Sequence, residues 1–129
     1  MTKYIYLISK KQFKIFFFIV STVILYQALI PSSGEPFFTF DHSDKVLHAF
    51  AFFVLSFLLN RSSSSVGTRV RNILALLAFG ILIEILQSFT GYRQVSLGDV
   101  LADFLGIMLY QFTYSLLKVW QVKRRKKAL

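Results

Sequence analysis

Four apolar blocks separated by polar stretches constrain the fold of this 129-residue chain more than any other feature. They cover residues 15–30, 46–59, 73–89 and 100–120. A helix needs about 20 residues to cross roughly 30 Å of hydrocarbon, and a lone apolar segment in lipid must satisfy its own backbone hydrogen bonds. The sequence therefore predicts one all-α domain over 1–129. We expect an integral membrane four-helix bundle with spans near 13–31, 44–60, 72–90 and 98–120.

The first two blocks each need an interpretation. The first follows Lys10, Lys11 and Lys14, as the apolar part of a signal peptide would. It is long for such a segment and no small-residue cleavage site follows it, which favours an uncleaved anchor. The second block is short, and it reaches a spanning length only if Asp44 and His48 belong to the same helix.

Basic residues predict the orientation of the spans. Thirteen of the fifteen precede the first span, lie between the second and third, or end the chain, whereas Lys45 and Arg93 fall on the other side. The positive-inside rule then predicts a multi-pass protein of the plasma or inner membrane with both termini in the cytoplasm. Because the charges flank apolar blocks on alternate sides, nucleic acid is not an expected partner. The chain has no cysteine, which excludes disulfides and thiol chemistry.

All six acidic residues lie in the outer loops or outer halves of the spans on this topology. An unpaired charge in hydrocarbon costs at least about 2.5–3.5 kcal/mol, so these side chains must meet one another or a wet cavity. A stripe formed by Gly98, Ala102 and Gly106 would let helices approach closely beside Asp103. The pattern predicts an outward-facing charged pocket where spans two, three and four meet.

The residue types suggest roles within this pocket. Lys45 and Arg93 would bind an anion, because a guanidinium suits bidentate contact with one. His48 would be the catalytic acid or base, oriented by Asp44 four residues earlier on the same helical face, and Glu84 would assist it. The remaining pocket-lining residues are Gln87, Asp99 and Asp103.

Structural interpretations of the same residues stay open. Ser96 and Asp99 fit a capping box at the start of the fourth helix, and Asp44 could stabilise a helix N-terminus. Arg93 could anchor at the membrane interface, and the whole cluster could hold helices together. A metal site of His48, Glu84 and Asp103 is conceivable, but nothing in the spacing demands one, and no metal or cofactor is predicted.

Three motifs in this order resemble the VanZ-like family. Asp44-Lys45-Val46-Leu47-His48 is similar to its D-K-x-x-H motif. Glu84 to Gln87, then Arg93, then Asp99 to Asp103 with Gly106, are similar to its E-x-x-Q…R…D-x-x-A-N-x-x-G pattern, except that Asp103 stands where asparagine is commoner. The resemblance covers about 41–110 and implies a small four-span bacterial membrane protein. It also implies a link to glycopeptide (teicoplanin) resistance, which is a phenotype and not a reaction.

Three functions compete on this sequence. The first is binding or processing of an anionic cell-envelope component, such as a lipid-linked phosphate or a peptidoglycan precursor, with membrane lipid as the surrounding partner. Whether the chain is an enzyme stays open, because it offers no obvious nucleophile and water would have to attack. The second is a structural role for the charges in a small membrane scaffold. The third is proton- or ion-coupled transport through Glu84 and Asp103.

Overall fold

The computed structural model describes residues 8–30, 43–62, 66–91 and 96–129. Within these ranges the chain forms four α-helices and no strand: α1 (Lys10–Leu29), α2 (Ser43–Ser62), α3 (Val66–Ser88) and α4 (Leu97–Ala128). Each of the four is long and apolar enough to cross a membrane. This confirms the all-helical architecture and the number of candidate spans.

Local sequence explains where α1 begins and ends. Ser9 caps its N-terminus in a capping box with Gln12, in which each side chain accepts a hydrogen bond from the other residue's backbone N–H. Ile30 at the other end has the extended conformation that a residue before proline prefers. Helix α2 begins at Ser43, so Lys45 and His48 are helical, as the short second block required.

Two helices are longer than their predicted spans. Helix α3 begins at Val66 and not near residue 72, and α4 continues to Ala128 and not only to residue 120. The apolar pattern that predicts a span ends where charged residues begin. The helix itself can continue, because Lys and Arg are good helix formers. Three basic residues in the last turn of α4 also complement the negative end of its dipole. The helices α3 and α4 therefore continue past the predicted spans where basic residues extend them.

The apolar core lies between α2, α3 and α4. Its buried residues are Phe52 and Leu55 of α2, Leu76 and Ile83 of α3, and Ile107 of α4. Helix α1 contributes only partly buried side chains to it, among them Phe17, Val20 and Ile24. Helix α1 is thus the most peripheral of the four, and the other three position the polar groups described below.

Helices α2 and α4 cross closely at the small-residue stripe. A Cβ added to Gly106 would overlap the backbone carbonyl of Ala49 on α2, and Ala102 is buried one turn earlier. Small residues are what permit such an approach between helix backbones. The stripe predicted from the sequence therefore marks the closest helix contact around the charged residues.

The outside of the bundle is apolar and polar side chains lie inside it. Phe50, Leu105 and Phe112 are among the many large apolar side chains left exposed, whereas Glu84 and Asp103 are almost fully buried. Helices in lipid have no reason to bury apolar side chains, but they must turn ionisable ones inward. The arrangement is consistent with a multi-pass membrane protein.

Candidate functional site at one end of the bundle

Five ionisable side chains from three helices meet where α2 and α4 begin and α3 approaches its end. We call them the carboxylate cluster: Lys45, His48, Glu84, Asp99 and Asp103. Side-chain exposure falls from 33% at Lys45 through 21% at His48 and 11% at Asp99 to 1% at Asp103. The cluster therefore runs from a partly open mouth at Lys45 to a closed interior at Asp103.

The deepest contact joins His48 of α2 to Asp103 of α4. The His48 Nδ1 atom lies 2.8 Å from Asp103 Oδ1. An ionised carboxylate can only accept, so with Asp103 ionised the hydrogen bond requires a proton on Nδ1. A histidine held in this way has a fixed ring orientation and leaves Nε2 as its second polar atom.

The predicted orienting role of Asp44 stays a prediction, and in the structure Asp103 contacts the His48 ring. The Asp44 side chain lies outside the described residues, and so does Arg93. Asp44 and His48 share a helix, but Asp103 reaches the ring across the α2–α4 crossing, where the two backbones lie close together. The geometry of the crossing, which the sequence does not specify, decides the partner of His48.

Asp99 lies between Lys45 and His48 at the partly open mouth of the carboxylate cluster. Its Oδ1 atom lies 3.3 Å from Lys45 Nζ, and its Oδ2 atom lies 3.9 Å from His48 Nε2. Gly98 makes room for the lysine, since a Cβ there would lie 2.7 Å from Lys45 Cε. The carboxylate of Asp99 is thus placed between an ammonium and an imidazole.

The predicted capping box of α4 is wrong in one respect. Ser96 is the N-cap residue, but its side chain makes no capping hydrogen bond, and Asp99 faces α2 instead of returning to the cap. The Ser96 backbone N–H donates to Glu84 Oε2 of α3 at 3.2 Å. A carboxylate from another helix therefore accepts the bond that Asp99 would accept in a capping box.

Two buried carboxylate oxygens in this cluster have no hydrogen-bond partner among the described residues. They are Glu84 Oε1 and Asp103 Oδ2. The second lies against α3, where a Cβ added to Gly80 would be 2.7 Å from it. Buried polar atoms are nearly always paired in proteins, so these two oxygens call for an explanation.

Gln87 lies beside a groove and is not part of the carboxylate cluster. Its Nε2 donates to the Ala28 backbone oxygen at 2.9 Å, which ties α3 to the end of α1. The groove has a volume of about 400 Å³ between α1, α2 and α3. Its lining is mostly apolar and includes Val23 and Phe50, with His48 in its wall. His48 therefore belongs to the groove and to the cluster.

The arrangement permits two kinds of chemistry. A histidine bonded to a carboxylate can transfer a proton to or from a bound molecule. One ligand atom from each of His48, Glu84 and Asp99 also lies within 4.8 Å of the other two, a set suited to a cation. The set conceivable from the sequence contains Asp103 in place of Asp99, but in the structure Asp103 is bonded to Nδ1, the other nitrogen of the His48 ring.

A second polar network at the opposite end of the bundle was missed by sequence analysis. Arg69 of α3 donates from Nε to Gln111 Oε1 at 2.9 Å and from Nη2 to Ser115 Oγ at 3.2 Å. Asn60 of α2 donates to the Tyr110 hydroxyl at 2.9 Å. We call these five residues the basic-end network. Gln111, a polar residue within the fourth apolar block, was the available signal for it.

Comparison with protein-family models, with curated proteins and with solved structures finds no match for this chain. The VanZ-like resemblance thus stays a prediction that rests on the three motifs. The site has to be interpreted from its own geometry.

Proposed function

We propose that this multi-pass membrane protein binds a lipid-linked anionic component of the cell envelope. Its headgroup would lie at the carboxylate cluster and its apolar chain in the groove. One observation carries the proposal: His48 lines the groove and is bonded to Asp103 within the cluster. A molecule that fills both places must be amphipathic, with a polar end at His48.

The groove supports an apolar chain as its occupant. It is open on one side and is bordered by exposed apolar side chains of α1 and α2, including Val23, Leu47 and Phe50. In a membrane such an opening faces lipid, so the occupant enters from the bilayer. Polar atoms of Gln27 and Gln87 lie at the groove beside His48, where a headgroup would begin.

Lys45 supports an anionic headgroup. Its side chain is one third exposed at the mouth of the cluster, and its ammonium pairs with Asp99. An incoming phosphate would share or replace this carboxylate as its counter-ion, with Arg93 as the second proposed cation. If the bound molecule is also processed, His48 held by Asp103 would be the acid or base. The roles of Asp44 and Glu84 as catalytic residues stay predictions.

Purified protein in detergent can test the binding proposal directly. A polyprenyl phosphate should raise the thermal unfolding midpoint, because a ligand that binds only the folded state stabilises it. The matching polyprenol lacks the charge and inorganic phosphate lacks the chain, so each should raise the midpoint less. Polyprenyl phosphate should raise the unfolding midpoint more than polyprenol does. Lys45→Gln should reduce this difference in midpoint shift, because it removes the proposed anion contact.

A matched pair of variants separates the groove from the general surface of α1. Val23→Trp would fill the groove, whereas Ile19→Trp adds the same side chain one turn away, and both positions are 54% exposed. Val23→Trp should abolish the shift caused by polyprenyl phosphate, and Ile19→Trp should leave it unchanged. The proposal is overturned if polyprenyl phosphate shifts the unfolding midpoint of both variants equally, or if it does not shift that of the parent protein.

We also propose that both termini are cytoplasmic and that the carboxylate cluster faces outward. The distribution of basic residues supports this orientation. The chain lacks cysteine, so single cysteines report on one position each. Phe89→Cys at the end of α3 should react with an impermeant maleimide on intact cells, and Leu129→Cys only after permeabilisation. The reverse labelling would refute the orientation.

The resistance phenotype that the resemblance implies is a separate proposal. Expression of the protein in a susceptible bacterium should raise the inhibitory concentration of teicoplanin, and Lys45→Gln at equal protein level should not. An unchanged inhibitory concentration with the parent protein would remove the phenotype and leave the lipid-binding proposal in place.

A further inference from the structure

We propose that His48, Glu84 and Asp99 form a binding site for a transition-metal dication, with Zn²⁺ as the ion that best fits the set. One potential ligand atom from each residue lies within 4.8 Å of the other two. Ligands of a tetrahedral zinc ion with bonds of about 2.0–2.1 Å lie roughly 3.4 Å apart, so a small inward movement completes the set. The site lies within the carboxylate cluster, where the lipid headgroup is also proposed to bind, but its occupancy by an ion can be tested without lipid.

Each ligand has one polar atom directed to another partner and one left for the ion. His48 donates from Nδ1 to Asp103, which leaves Nε2. Asp99 pairs with Lys45 through Oδ1, and its Oδ2 lies 3.9 Å from that same Nε2. An imidazole nitrogen and a carboxylate oxygen at this separation can bind one ion between them.

Glu84 supplies an independent sign that a ligand belongs here. Its side chain is only 3% exposed, and its Oε2 accepts the Ser96 N–H. The other oxygen, Oε1, is buried with no hydrogen-bond partner among the described residues. Leaving a buried acceptor unpaired is unfavourable, and a metal ion bound to Oε1 would remove this deficit.

The contact between His48 and Asp103 matches the usual surroundings of a metal-bound histidine. Such a histidine almost always donates its second ring N–H to a carboxylate, a carbonyl or water, which fixes the tautomer that binds the ion. Asp103 is fully buried and accepts this bond at 2.8 Å. Asp103 is therefore a positioning residue for the ion, and His48 is the ligand.

Charge balance also favours a dication. Three carboxyl groups, one ammonium and one imidazole lie in the carboxylate cluster. With all three carboxyls ionised and His48 neutral, as ligands of an ion would be, these described residues would sum to two negative charges. Excess charge in a low-dielectric interior is unfavourable, and a divalent ion would neutralise it. Three protein ligands would leave a fourth position of zinc for water or a phosphate oxygen.

The mixture of ligands selects among divalent ions. Imidazole suits Zn²⁺ and its transition-metal neighbours, whereas Mg²⁺ prefers oxygen ligands in an octahedral arrangement and keeps several waters. We expect Zn²⁺ to bind in the presence of excess Mg²⁺. Co²⁺ bound at the same site should show the visible absorption of an ion with nitrogen and oxygen ligands.

The test uses the full chain, purified without a polyhistidine tag, stripped with EDTA and titrated with Zn²⁺. Calorimetry and elemental analysis should give one ion per chain. His48→Gln should abolish this binding, while His42→Gln, which changes the other histidine of the chain, should retain it. Glu84→Gln keeps an acceptor for the Ser96 N–H and should weaken binding while the protein remains folded.

Two further variants separate a metal site from a structural cluster. Asp103→Asn should weaken Zn²⁺ binding by about 10–100-fold, as expected for an outer partner of a ligand. Lys45→Gln should strengthen it, because the competing cation on Asp99 is removed. Circular dichroism of each stripped variant checks that the helices are intact.

The proposal is overturned if the parent protein retains no stoichiometric Zn²⁺, or if His48→Gln and His42→Gln bind it equally. Weaker binding by Lys45→Gln would also contradict the assigned charge arrangement. If the parent protein binds Zn²⁺ but not polyprenyl phosphate, the proposed function alone is refuted. The two proposals can therefore fail separately.

Discussion

Both ends of the bundle contain buried polar side chains that link α4 to neighbouring helices. The two ends differ in how completely these side chains are hydrogen-bonded. In the basic-end network, Arg69 uses two of its nitrogens on Gln111 and Ser115, and Asn60 donates to Tyr110. In the carboxylate cluster, Glu84 and Asp103 each keep a buried oxygen without a partner among the described residues.

This difference separates a structural network from a candidate site. A buried polar network stabilises helix packing when its members are satisfied, and a partly satisfied one is less favourable than an apolar core. The basic-end network therefore suffices as a contact between helices. The carboxylate cluster is a poor contact of that kind, and residues that break a local rule are expected where a ligand binds.

Gly106→Ala should have the largest effect, because it disturbs the α2–α4 crossing that both ends share. The added Cβ would overlap the backbone of Ala49, which cannot move aside as a flexible side chain can. Overpacking of this kind destabilises by up to about 3 kcal/mol. The free energy of unfolding in mixed micelles measures the loss.

Gly67→Ala is the matched control for this variant. A Cβ at Gly67 would meet nothing within 4 Å, so unfolding should be unaffected or slightly harder. If Gly106→Ala and Gly67→Ala changed the free energy of unfolding equally, the close α2–α4 crossing would be absent from the folded protein. The two ends of the bundle would then not depend on a shared helix contact.

The number of helices and the inward-facing residues could be predicted from the sequence. Four apolar blocks of spanning length predict four helices, which the structure has. The cost of a charge in lipid predicts that Glu84 and Asp103 face inward, and both are buried. These inferences need only the length of a span and the position of a charge along it.

The partners of these residues could not be predicted, because they depend on how each helix is rotated about its axis and where it crosses the next. His48 is bonded to Asp103 of another helix, and Glu84 accepts the Ser96 N–H at the start of α4. Arg69 was counted only as a topology signal, although it lies on a face of α3 that meets Gln111. A single sequence contains no record of such pairings.

Arg69→Met should have the next largest effect and directly tests the basic-end network. The variant keeps an apolar stem but leaves Gln111 Oε1, a buried acceptor, without its donor. A loss of about 2 kcal/mol is expected for an acceptor left unsatisfied in this way. Arg71→Met on an exposed position of the same helix is the control and should change stability little.

Tyr110→Phe should sharpen the comparison with a smaller effect at the same end. It removes the hydroxyl that accepts from Asn60 and keeps the ring packed edge-on against Phe53 and Phe57. Hydrogen bonds between membrane helices average about 0.6 kcal/mol, so a loss of that size is expected. Tyr114→Phe, on the more exposed neighbouring ring, should cause less.

Asp103→Asn should have the smallest effect on stability, although Asp103 is the most deeply buried member of the carboxylate cluster. The amide oxygen can still accept from His48 Nδ1, and the substitution removes a buried charge whose second oxygen has no partner among the described residues. With EDTA present, the free energy of unfolding should fall by less than the roughly 0.6 kcal/mol expected for Tyr110→Phe, or should rise, because a buried charge that is incompletely paired is itself destabilising. A loss as large as that of Arg69→Met would mean that the carboxylate cluster holds the helices together as the basic-end network does. The two ends would then differ in charge alone, and the unpaired oxygens would no longer indicate a ligand.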